Sequence, residues 1–343
     1  MPELHVLSPR ESGEYVAQTS QDVKVCWDGV KKIVDKMYPL VKRKEYGNKN
    51  WKEHPMHPSE MNEATIDWIF MVDTLNFSFW AHSEEEKCRV RCRGQEYTGY
   101  FSLCAAVNRA LDEGIPITTP SYYANITMDD FKHVFRSDSK NDFPLLEERY
   151  KHLRETGKIL VEKYNGSFVN CIPQCEKSAV KLYNFVASTF PSFRDVVSYQ
   201  GKTVSLMKRA QITVANLWSC FEGQSYGTFH DIDELTMFAD YRVPQALVYF
   251  GALQYSDSLM AKLKASTLFT PGERQEVEIR GCSIWAVELV SEEVKRRLQE
   301  DPDANDTEEC NSIIVDYFLW DYAQAHRKDM EHIPIHKIRT IYY

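Results

Sequence analysis

A mainly α-helical chain with a few short strands is what this sequence predicts. Three observations carry that reading. Apolar residues recur at helical spacing through most of the chain, the runs are bounded by capping residues and by Gly or Pro stops, and strict alternation is confined to a few short stretches.

Taken in order, Ser8-Pro9-Arg10-Glu11 reads as a helix start, and residues 29–38 place Val30, Ile33, Val34 and Met37 at helical spacing. Residues 46–59 read as a loop rich in Pro, Gly and Asn. That loop contains His54 and His57. Pro55 disfavours a regular helix through the pair, and no further ligand stands nearby, so no metal site is expected. An imidazole offering a hydrogen bond from a pocket loop is the expected use. Residues 64–80 are nearly all apolar or aromatic, yet too short and too interrupted by Asp67, Asp73 and Asn76 to span a bilayer. They read as a buried segment in which Asp73 and Asn76 are either core hydrogen-bonders or pocket groups, the core role being the favoured one.

Residues 88–99 alternate around Gly94 and predict a hairpin. Helices are expected over 102–113, stopped by Gly114 and Pro116, from a cap at Thr127, over 145–164 and over 177–189, with 115–123 extended. Residues 204–220 predict another helix. The stretch 276–280 alternates like a short strand, and 282–298 reads as helix. Residues 300–311 form an acidic connector expected to be a mobile loop, and 313–327 a strong helix.

The bulk numbers exclude several classes. With 343 residues, 43% hydrophobic and 27% charged, the chain has enough apolar content for a substantial core. A net charge of −9 argues against binding a nucleic-acid backbone, which rewards Lys and Arg. No signal peptide and no membrane span are expected. Nine scattered Cys suit reduced thiols in the cytoplasm or nucleus better than a disulfide framework. No dinucleotide, phosphate-loop or serine-hydrolase motif is present, and no cofactor is expected.

The chemistry concentrates in residues 231–255. Pro244 suits the first turn of a helix, and Leu247, Val248, Phe250 and Leu253 follow at helical spacing. Asp240 then stands just upstream of a helix N-terminus, whose partial positive charge favours a carboxylate in its ionised form. Such an acid among aromatics either stabilises or attacks a developing cation, or it only helps to start the helix. Periodicity alone favours the second, commoner role. Near the C-terminus, Asp316, Tyr317 and Asp321 share a helical arc otherwise rich in apolar and aromatic residues, where acids are costly unless a partner or ligand satisfies them.

The blocks VDTLNFSFW (72–80), GYFSLCAAVNRALDEGIPIT (99–118) and KRAQITVANLWS…DIDELTMFADYRVPQALVYFGAL (208–253), followed by EVEIRGCSIWAVEL (276–289) and DYFLWDYA (316–323), together resemble the queuosine salvage protein family, over nearly the whole chain. The resemblance implies a hydrolase that cleaves the N-glycosidic bond of queuosine 5′-phosphate to queuine and ribose 5-phosphate. A separate tRNA-guanine transglycosylase then uses the base, an indirect link. It also implies a fold similar to the helix-hairpin-helix DNA glycosylases, as a single domain over 1–343 or as two helical lobes with the active site between them.

Asp240 is implied as the nucleophilic or cation-stabilising acid, Phe238 as an aromatic against the base, and Asp316, Tyr317 and Asp321 as substrate-binding. His54 is implied as the histidine of the tryptophan-led loop, with His57 the alternative. Lys208, Arg209 and Arg242 are candidates for the 5′-phosphate. The run Gly227-Thr228-Phe229-His230 lacks the Gly-rich turn that grips DNA phosphates, so direct DNA binding is not expected. The competing readings are a non-catalytic queuine carrier and a base-excision glycosylase on the same fold.

Overall fold

Ser8 caps the helix Pro9–Thr19 as its position predicts. Its hydroxyl accepts from Glu11 N while the Glu11 carboxylate takes Ser8 N, so the helix start is held from both sides. Asn62, Thr127, Ser178 and Asn311 start four further helices in a similar way, each side chain accepting from the backbone N–H three residues on. The computed structural model describes residues 6–304 and 310–343 and is mainly helical with a few short strands. It divides into two units.

The first unit comprises Met1–Asn50, Asp195–Gln211 and Asp231–Arg339. Its spine is the 27-residue helix Arg274–Glu300, against which Pro9–Thr19 packs. Gly13 and Gly281 permit that crossing: a Cβ on either would lie 2.6 Å from side-chain atoms of Ile284 or Val16. Strand Lys202–Ser205 pairs in parallel with Val6–Leu7 and antiparallel with Val196–Tyr199. Val23–Val25 pairs antiparallel with Leu253–Tyr255.

The start of helix Trp27–Lys42 presses on the turn that ends helix Val243–Phe250. A Cβ on Gly29 would sit 2.0 Å from Ala252 N and from Gly251 C. Both obstacles are backbone and do not rotate away. Gly29→Ala is therefore expected to cost about 3 kcal/mol, seen as a fall in the urea midpoint. Wild-type stability in that variant would mean that the turn shifts at no cost.

The second unit comprises Trp51–Arg194, Ile212–His230 and Thr340–Tyr343. Phe70 anchors its core, stacked on Phe168 at 3.8 Å and on Phe193 at 5.7 Å. Arg149 is fully buried and gives its guanidinium to the carbonyls of Leu75, Phe77 and, at 2.8 Å, Pro144, with its charge 4.4 Å from the centre of the Phe77 ring. It satisfies the backbone just past the end of helix Glu63–Thr74. Asp73 accepts from Asn76 at 3.2 Å and Asn216 at 2.9 Å, the core role expected of Asp73 and Asn76. Strands Arg89–Cys92 and Gln95–Thr98 form the expected hairpin.

Four local expectations are corrected. Residues 120–123 are a helical turn, because Pro120 occupies a first helical position rather than an extended one. Residues 202–205 are a strand, and the helix that follows begins at Lys208. Leu253 belongs to a strand, since Gly251 in the left-handed conformation ends the preceding helix. Residues 276–280 are helical. Their alternation is not a wet face against a dry one, because Glu276, Glu278 and Arg280 are all buried, and the i,i+4 ion pairs Arg274–Glu278 (2.7 Å) and Arg280–Glu276 (3.4 Å) run along the helix. The connector 300–311 lies partly outside the described residues. Among the described residues no helix is long and apolar enough to cross a membrane.

Candidate active site

The segment before Pro244 is extended and buried from Leu235 to Ala239, then turns into helix Val243–Phe250 at Asp240. Asp240 Oδ1 accepts from Arg242 N at 2.8 Å and Val243 N at 2.9 Å. Its second oxygen accepts no hydrogen bond among the described residues, and the residue keeps some solvent contact. The helix-starting role and an available carboxylate oxygen therefore coexist in one side chain.

The electrostatics differ from the sequence expectation. The helix-end N–H groups and the charge of Lys208 do favour the ionised form. Loss of water around the carboxyl outweighs them, and the pKa is raised above the ordinary Asp value.

Helix Ser312–Ala325 supplies the second acid. Asp316 is buried, and its Oδ2 accepts from Phe238 N at 3.0 Å. That bond ties the helix directly to the segment that carries Asp240. The other Asp316 oxygen has no hydrogen-bond partner among the described residues. Burial first, then the charge of Asp240, raise the Asp316 pKa well above the ordinary range, against the opposing effects of Phe238 N–H and Lys208. Tyr317 tilts at 49° to Phe238, with ring centres 6.1 Å apart. Asp321, one turn after Tyr317, is exposed and accepts from the hydroxyl of Tyr46.

Of the basic candidates, Lys208 is buried and its charge acts on both Asp240 and Asp316. Arg209 is buried too. Arg242 donates to Gln245 Oε1 at 2.7 Å. The frame beneath comes from Arg280, which sequence reasoning missed. Its Nε donates to Ala239 O at 2.9 Å, one residue before Asp240, and its two Nη atoms hold both oxygens of Asp195. Lys208 N donates to that same Asp195 at 3.4 Å. Reading 276–280 as helix would have put Arg280 one turn from Glu276, but no sequence signal pairs it with Ala239 or Asp195.

The first unit thus brings together Phe238, Asp240, Asp316 and Tyr317, with Asp321 further along the same helix. His54 belongs to the second unit. It stacks on Phe101 with ring centres 3.4 Å apart, and its Nδ1 accepts from Met56 N at 3.2 Å, which places the proton on Nε2. Burial pushes it down to about 4, so it is neutral at physiological pH. His57 is more occupied: Nδ1 bonds Trp51 O at 2.7 Å and Nε2 meets the Tyr100 hydroxyl at 3.1 Å.

Two acids, each with one oxygen that accepts no hydrogen bond among the described residues, stand with aromatic rings and a buried lysine, an arrangement that can hold a group bearing N–H donors or positive charge. The chain belongs to the queuosine salvage protein family, whose model matches residues 56–343. It is similar to proteins named queuosine 5′-phosphate N-glycosylase/hydrolase from several organisms. The Bos taurus protein is 51% identical over 339 residues, covering 98% of this chain and 99% of that one. The Mus musculus protein is 50% identical with the same coverage. The Schizosaccharomyces pombe protein is 39% identical over 359 residues, covering 97% and 99%.

Proposed function

We propose that this chain is a hydrolase that cleaves the N-glycosidic bond of queuosine 5′-phosphate, yielding queuine and ribose 5-phosphate for salvage into tRNA modification. The observation that carries the mechanism is Asp240, with one oxygen pinned by two backbone N–H groups and the other accepting no hydrogen bond among the described residues. Breaking the bond between ribose C1′ and the base nitrogen sends the electron pair to the base and leaves positive charge on the sugar. That second oxygen stabilises that charge or bonds to C1′.

Asp316, the acid with the stronger upward shift, is the one that keeps a proton and gives it to the departing base. The hydroxyl of water ends on C1′ and the proton of that water restores the acid. Phe238 and Tyr317 supply faces for the base. His54, with its Nε2–H, enters the proposal as a hydrogen-bond donor to substrate, favoured over His57 because both His57 nitrogens are engaged. Contact with the 5′-phosphate by Lys208, Arg209 or Arg242 belongs to the same proposal.

A likeness to helix-hairpin-helix glycosylases is also proposed, supported by the helical predominance. A free nucleotide rather than DNA is the proposed substrate, supported by the net charge of −9. Action in the cytoplasm or nucleus is supported by nine free thiols.

The test is to incubate the protein with queuosine 5′-phosphate and follow free queuine by chromatography. Release above a buffer blank supports the reading, and tight queuine binding without release would make the protein a carrier instead. The pH profile adds a sign. Only ionised Asp240 serves, and its pKa is raised, so kcat is expected to fall on acidification at a pH above the ordinary Asp value of about 4. Full turnover maintained down to that value would contradict the assignment.

A further inference from the structure

We propose that Asn311 is a positioning residue: through Asp233 it sets the register between the helix that carries Asp316 and Tyr317 and the segment that carries Phe238 and Asp240. This deepens the functional reading above and rests on it. Asn311 uses both ends of one amide. Its Oδ1 accepts from Ile314 N at 3.1 Å and caps helix Ser312–Ala325. Its Nδ2 donates to Asp233 Oδ1 at 3.1 Å. Capping alone asks for an acceptor, which Ser or Asp supplies as well as Asn. Only the contact with Asp233 uses the donor.

Asp233 lies in the helical turn Ile232–Glu234, directly before the buried run from Leu235 to Ala239. The bond from Phe238 N to Asp316 Oδ2 forms a second rung. In each rung the partners are 78 residues apart, so the second stands equally far beyond the first along both elements. Helix and segment are therefore bonded at two levels, and Tyr317 and Asp240 follow directly after the second. One hydrogen bond through a rotatable side chain is a pivot, whereas two at different levels hold an angle.

The first rung is itself anchored on helices Pro9–Thr19 and Arg274–Glu300. The second oxygen of Asp233 pairs with Lys295 at 3.0 Å. Arg10 donates from Nη2 to Asp233 O and from Nη1 to Glu234 at 3.0 Å, and its Nε stands 2.9 Å from Glu288 Oε2. Glu288 Oε1 in turn accepts from Ser312 Oγ at 2.6 Å, next to Asn311. Glu288, Asn311 and Ser312 are all buried, so little water competes for these bonds. Cleavage sets the base against the Asp316 helix and C1′ against Asp240, so the angle between the two elements fixes both distances at once. An error of about 1 Å there costs on the order of 10²-fold in rate.

The test exchanges donor and acceptor. Asn311→Asp keeps the cap, loses the donor and sets two carboxylates face to face. It is expected to lower kcat on queuosine 5′-phosphate by on the order of tenfold or more, with KM within about threefold. Asn311→Ser, which caps without reaching Asp233, is expected to lose as much and separates the lost donor from the added charge. Asp233→Asn keeps an acceptor for Asn311 and is expected to cost at most about threefold in kcat. Asn311→Asp combined with Asp233→Asn returns a donor and an acceptor to the contact in exchanged places, and kcat is expected to recover to within about threefold of wild type. A readout without turnover is the Phe238 amide signal in protein labelled with ¹⁵N-phenylalanine, assigned by its loss in Phe238→Tyr. It is expected to move in Asn311→Asp and to return in the double variant. Wild-type kcat in Asn311→Asp, or a double variant as slow as Asn311→Asp, would overturn the proposal. If wild type releases no queuine yet the Phe238 signal moves and returns, the hydrolase reading fails and the register role stands. If wild type cleaves and Asn311→Asp changes neither kcat nor the signal, the register role fails and the hydrolase stands.

Discussion

Asp240→Asn is expected to lower kcat on queuosine 5′-phosphate by on the order of 10³-fold or more, with thermal stability close to wild type. The substitution separates the two roles that one side chain performs. Asn caps helices about as well as Asp, and its amide oxygen can still accept from Arg242 N and Val243 N at the distances seen for Oδ1. An acid that only started the helix would therefore be replaced without loss. What Asn cannot supply is the negative charge on the second oxygen, which accepts no hydrogen bond among the described residues. A folded, capped and nearly inactive variant is the expected result from circular dichroism and a queuine-release assay. A folded variant with full turnover would return Asp240 to a purely structural role.

That separation was not available from sequence. Position and composition placed Asp240 before a helix, and the structure keeps that. The sign of its pKa shift went the other way, because dipole arguments count the helix and not the water that burial removes from around the carboxyl. Helices were legible where caps and stops bracket them, as at Ser8 and Thr127. They were misread where buried charges imitate alternation, as at Glu276, Glu278 and Arg280. The acids of the site were visible as anomalies on an apolar arc. Their partners were not: Tyr46 is 275 residues from Asp321, and Arg280 is 85 from Asp195. Periodicity has no reach over such separations, and only the family resemblance joined Asp240 to Asp316 before coordinates did.

Arg280→Met is expected to cost about 3–5 kcal/mol of stability and to lower the activity of whatever still folds. Arg280 and Asp195 are nearly sealed, with side chains 3% and 6% exposed. Removing the guanidinium leaves Asp195 with an unpaired charge and strips Glu276 of its 3.4 Å partner, away from water that could replace either. The same deletion frees Ala239 O, so the carbonyl that fixes the backbone just before Asp240 loses its donor. Met fills most of the volume, so the loss is electrostatic rather than a cavity. Arg280→Met combined with Asp195→Asn is expected to recover part of the stability, because breaking a buried pair costs more than removing both charges. Activity is not expected to return with it, since neither Met nor Asn restores the hold on Ala239. Urea unfolding of the single and double variants reads the first half, and kcat of the folded double variant the second. A double variant as active as wild type would show that the Ala239 clamp does not position Asp240.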